Sequence, residues 1–143
     1  MKKHIPLKTA TTGILIILSF IVIFHILVVS GVIPPDNVWG GNTADRNRLW
    51  LMESVSIAVT FVMLLFVSAY SGIIKVKLRS TAVKIGFWII FTLFILNTVG
   101  NVLSNNALER FLFTPLTMLL SLFCFRLAAY GHKEEKDNTP DYV

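Results

Sequence analysis

Residues 13–33 read GILIILSFIVIFHILVVSGVI and contain no Asp, Glu, Lys or Arg. An α-helix rises about 1.5 Å per residue and a bilayer's hydrocarbon core is about 30 Å thick, so about 20 apolar residues cross it. This stretch has that length and one titratable side chain, His25. Lys2 and Lys3 precede it, as they would in a secretory leader. The apolar run is too long for such a leader, however, and Pro34-Pro35 follows where a small-residue cleavage site would stand. It is expected to remain as a first span.

Three further stretches have the same character. Residues 54–74 and 85–103 carry no charge, and residues 111–131 carry one, Arg126, near their end. The whole chain of 143 residues is 55% hydrophobic and 15% charged, with mean hydropathy +0.71. Soluble domains carry about 25% charged residues. That deficit argues against a soluble enzyme, a disordered protein or a nucleic-acid binder, although the net charge is +5. No stretch alternates polar and apolar with period two, so a β-barrel is not expected. The single cysteine, Cys124, has no partner within the chain for a disulfide.

The sequence therefore predicts an all-α, polytopic membrane protein: a four-helix bundle forming one domain over residues 1–143. An outer loop spans 34–52, a cytoplasmic loop 75–84, and a disordered tail 132–143. Orientation follows from the basic residues near the span ends. Lys2, Lys3, Lys8, Lys75, Lys77, Arg79, Lys84, Arg126, Lys133 and Lys136 fall on one side; Arg46, Arg48 and Arg110 fall on the other. This places both termini in the cytoplasm of a plasma membrane of bacterial type. Arg126 is expected to snorkel to the cytoplasmic headgroups.

Polar residues within spans are costly in lipid and tend to face a bundle interior or a cavity. Counted by helical rise, His25, Thr60, Asn97 and Thr117 each fall in the outer half, one per span. Glu53, Ser56 and Thr60 share one helix face, and Asn97, Asn101 and Asn105 recur every four residues on another. Arg110, Thr114, Thr117, Ser121 and Cys124 form a stripe on the fourth helix, with Pro115 expected to interrupt its hydrogen bonding. Such polar groups serve equally as glue between helices, as do the small-residue pairs Ser68/Gly72 and Gly100/Ser104. His25 is the deepest titratable residue; its expected partner is Asn97, or Glu53 if the second helix starts earlier. In the outer loop, Trp39 is expected to cover a polar vestibule, with Gly40-Gly41 allowing close backbone approach.

The functional expectation is a membrane protein that binds or carries a small hydrophobic or lipid-like ligand. Its site would comprise His25, Trp39, Glu53, Thr60, Asn97, Asn101 and Thr117. Two alternatives stand beside it. One is an accessory subunit whose polar stripes bind partner helices in a homo- or hetero-oligomer. The other is an intramembrane lipid-modifying enzyme using His25 with Glu53 or Glu109, for which no catalytic nucleophile is apparent. The expected partners are membrane lipid and a small molecule, without nucleic acid. No cofactor or metal is expected, because His25 and the nearby carboxylates lack ligand spacing.

Overall fold

The computed structural model describes residues 5–41 and 45–137. Among them are four long helices and no strands: α1 (Leu7–Val29), α2 (Arg46–Tyr70), α3 (Ser80–Leu103) and α4 (Thr114–Asp137). All four segments are long and apolar enough to cross a membrane, the last counted from Glu109 to Gly131.

The helix ends differ from the sequence expectation for identifiable reasons. α1 stops at Val29, before the proline pair. Gly31 takes a left-handed φ of 78°, and the Ile33 N–H donates back to the Leu27 carbonyl at 3.1 Å. This is a glycine-terminated helix end in which a Cβ would be penalised. Gly72 ends α2 in the same way, also at φ 78°, with Ile74 N–H donating to the Ser68 carbonyl at 3.1 Å. α2 starts at Arg46, not at residue 54, because the Asp45 side chain caps it by accepting from the Asn47 N–H at 2.9 Å. The α1–α2 loop, expected over 34–52, thus spans residues 30–45 and carries two 3₁₀ turns, Pro35–Asn37 and Trp39–Gly41. The connection between α2 and α3 occupies residues 71–79. α4 runs to Asp137, into the stretch expected as a disordered tail. Residues 132–137 contain no Pro or Gly to stop it. Residues 138–143 of that expected tail lie outside the described residues.

A π-helical turn at Glu109–Phe113 precedes α4. It adds a residue to the turn ahead of Pro115, which has no N–H to donate. The register shift takes Arg110 out of the expected stripe: it is exposed, whereas Thr117, Ser121 and Cys124 are buried.

The helices pack as a row, α2 against α1, α1 against α4, and α4 against α3. The row curls so that its two ends, α2 and α3, face each other. They meet through aromatic side chains: Phe66 and Tyr70 of α2 contact Phe87 of α3, with ring centroids 5.2 and 5.0 Å apart. These contacts lie near the end of the bundle that holds the two termini, here the termini end. Around them lies the apolar core, including Ile14, Leu18, Val67, Phe87, Leu120 and Cys124. Gly13 and Gly86 permit close packing: a Cβ on Gly13 would sit 2.4 Å from the Phe123 ring, and one on Gly86 would sit 2.3 Å from the Phe66 ring. The expected small-residue contacts at Gly72 and Gly100 are not formed. Gly72 is a helix terminator, and Gly100 has nothing within 4 Å of its Cβ position.

Arg126 also departs from expectation. It is 9% exposed, its Nε donates to the Ile5 carbonyl at 2.9 Å, and its guanidinium lies 4.9 Å from the Tyr130 ring centre. It ties the start of the chain to α4 instead of reaching outward.

Candidate functional site

Towards the opposite end, which holds the α1–α2 and α3–α4 connections (the loop end), the helices line a half-open cavity of about 610 Å³. That is a common size for a small-molecule site. All seven residues singled out from the sequence line it: His25 from α1, Trp39 from the loop, Glu53 and Thr60 from α2, Asn97 and Asn101 from α3, and Thr117 from α4. The lower wall is apolar, formed by Ile21, Phe24, Met63, Leu93, Phe94 and Phe113. The polar groups and the apolar wall follow from helical periodicity, since residues three and four apart share a face.

Glu53 is the centre of the polar end. It lies two turns into α2 and is 1% exposed. Its Oε2 bonds His25 Nδ1 at 2.6 Å, and its Oε1 accepts from the Trp39 indole N–H at 2.7 Å. A carboxylate this buried requires such partners, because an uncompensated buried charge is strongly destabilising. His25 therefore pairs with Glu53, not with Asn97. The reason is the early start of α2, which sinks Glu53 to the level of the histidine. With Nδ1 engaged, the ring presents Nε2, which has no hydrogen-bond partner among the described residues.

A second carboxylate, Glu109 in the π turn, also lines the cavity. It accepts from the Gly40 backbone N–H at 3.2 Å and from the Ser104 hydroxyl. Asn106 joins the same end: its side chain accepts from the Leu108 N–H at 2.8 Å and donates to the Asp36 carbonyl at 3.0 Å. The α1–α2 loop is thus held by α2 through Trp39, by the π turn through Gly40, and by the α3–α4 connection through Asp36. Apolar contacts of Val38 with Phe24, Val28 and Leu49 add a small second core beneath it. The two held residues adopt left-handed backbone, Trp39 at φ 53° and Gly40 at φ 73°. For a tryptophan this conformation is costly, and it persists where surrounding contacts impose it.

Asn97 and Asn101 line the cavity, but Asn105 does not. The expected ladder breaks because α3 ends at Leu103 and Ser104 is extended, so the turn spacing stops there. Asn101 reaches Thr117 at 3.4 Å, and the Thr98 hydroxyl donates to Thr117 Oγ1 at 2.9 Å. The Asn97 amide makes no hydrogen bond to the described residues and is exposed towards the cavity. Comparison with known protein families, curated proteins and solved structures gives no match.

Glu109, Ser104 and Gly40 were outside the expected site. From the sequence Glu109 enters only as one of the charged residues at the mouth and as a candidate acid–base partner of His25 in the enzyme alternative. Its role depends on the π turn, of which the sequence signals only the interruption at Pro115.

Proposed function

We propose that this chain is a four-span integral membrane protein, with both termini cytoplasmic, that binds a small amphiphilic, lipid-like ligand. The observation that carries this reading is the cavity itself. Most of its polar groups gather at the loop end, which the basic-residue counts favour as the outer side, and its wall below is apolar apart from Thr60. A head group would sit near His25 and the asparagines, and an apolar tail would lie along Phe24, Met63 and Phe94. The seam between α2 and α3 supports access from the bilayer. Their aromatic contacts lie at the termini end, while Val55, Val59, Leu96 and Leu103 line the cavity from the two sides of the seam.

Two measurements test this reading. Orientation is read in a Cys124→Ser background by labelling intact cells with a membrane-impermeant maleimide. Asp36→Cys is expected to react and Lys77→Cys to be protected; the reverse pattern refutes the orientation. Binding is read by native mass spectrometry of protein purified in mild detergent. A retained small molecule is expected on the wild type and lost from Gly100→Leu. That substitution puts a side chain into open space on the cavity wall and improves helix propensity by up to about 1 kcal/mol. A bare protein that survives only as an obligate oligomer would refute the reading and favour the accessory-subunit role.

The His25–Glu53 bond favours one second reading, an intramembrane acid–base enzyme. A carboxylate on Nδ1 orients an imidazole so that Nε2 can exchange a proton with a ligand. Against it, no hydroxyl or thiol bonds His25 among the described residues, and Cys124 lies in the closed apolar core.

A further inference from the structure

The polar end of the cavity is unbalanced in both charge and hydrogen-bonding capacity. We propose that it selects an amphiphile whose head group donates hydrogen bonds and carries no negative charge, such as an alcohol or a protonated amine, and that it rejects carboxylate and phosphate heads. This rests on the ligand-binding reading above and adds the chemical class of the ligand.

The first ground is the donor inventory. The Trp39 indole N–H, the Gly40 N–H and the Ser104 hydroxyl are all spent on the two carboxylates, and the Thr117 hydroxyl donates to the Phe113 carbonyl at 2.8 Å. His25 has Nδ1 directed at Glu53, 2.6 Å away. In the neutral ring an N–H there leaves Nε2 as a lone-pair acceptor, and in the protonated ring Nε2 donates. Asn97 and Asn101 offer both donors and acceptors and so do not favour an anion. The Ser56 and Thr60 hydroxyls also line the cavity and, like the two asparagines, offer both a donor and acceptors, so the excess of acceptor capacity lies in the two carboxylates.

The second ground is charge. Glu53 and Glu109 both line the cavity, among the described residues no Lys or Arg does, and even a protonated His25 would leave one of the two carboxylates uncompensated. The cations nearest in the chain, Arg46, Arg48 and Arg110, are exposed, and Arg110 donates to the Ser104 carbonyl at 2.8 Å. An anionic head would meet two carboxylates, and like charges disfavour it. A protonated amine meets the reverse situation.

The test offers the purified full-length protein four probes with one tail length: dodecylamine, dodecanol, dodecanoate and dodecyl phosphate. They compete at equal concentration, and adducts are counted by native mass spectrometry. Gly100→Leu serves as the blank for binding outside the cavity. Dodecylamine and dodecanol are expected to exceed the two anions by about tenfold or more, a margin of about 1.4 kcal/mol. Glu109→Gln is expected to narrow the margin between amine and carboxylate several-fold. A variant that had merely lost its fold would lose all four probes. Dodecanoate or dodecyl phosphate binding as well as the amine would overturn the head-group assignment and leave the ligand site standing. An unchanged amine-to-carboxylate ratio in Glu109→Gln would overturn it as well. Binding of every probe at the level of the Gly100→Leu blank would remove the ligand site and this assignment together.

Discussion

The bond between His25 and Glu53 makes a quantitative claim about stability. Glu53 is 1% exposed and holds two donors, His25 at 2.6 Å and Trp39 at 2.7 Å. Hydrogen bonds to a charged group contribute about 1.5–3 kcal/mol each, and a buried charge stripped of a partner costs more than the bond itself. His25→Phe keeps the ring volume and leaves the carboxylate with Trp39 alone, so it should destabilise by about 2–4 kcal/mol. Glu53→Leu removes the charge and the need for partners, so its cost should be smaller. In the double variant no buried carboxylate remains to be left unpaired. The two effects should therefore fail to add, with a coupling of about 1.5–3 kcal/mol. Reversible unfolding in mixed micelles, followed by circular dichroism for the wild type and three variants, measures the cycle. Additivity within about 0.5 kcal/mol would mean that the pair is not coupled, and the centre of the site would lose its support.

Other expectations follow from single positions. Gly86→Ala places a methyl group against the Phe66 ring, 2.3 Å away at closest; a loss of about 1–3 kcal/mol, partly restored by Phe66→Leu, should appear in thermal unfolding. Gly40→Ala meets no atom within 4 Å, so only the φ of 73° opposes it; the expected cost is about 1–2 kcal/mol, and an undiminished melting temperature would contradict the left-handed loop. Arg126→Met loses the 2.9 Å bond to the Ile5 carbonyl. A cost of about 1–3 kcal/mol and faster proteolysis of the first turn should accompany it, whereas an arginine that only snorkels would give neither.

The lengths of the apolar runs, the side on which the charges accumulate, and the faces carrying Glu53, Ser56 and Thr60 or Asn97 and Asn101 were all legible from residue order. Each is a local property, set by helical rise and turn spacing. Gly31 and Gly72 carry a terminator signal too, but in residue order Pro34-Pro35 is the more conspicuous stop and Gly72 reads equally as a small-residue packing position. Three features depended on the folded chain. Glu53 became the partner of His25 because the Asp45 cap starts α2 early, and depth counted from the edge of an apolar run does not contain that shift. The Asn97/Asn101/Asn105 ladder lost its last member because α3 ends at Leu103. Glu109 entered the site because a π turn ahead of Pro115 changes the register of the residues before it. Residue order determines which side chains share a helix face. Whether two faces meet depends on where each helix starts and on how the helices pack, so the acidic, donor-poor end of the cavity emerged only when the four helices and the α1–α2 loop came together.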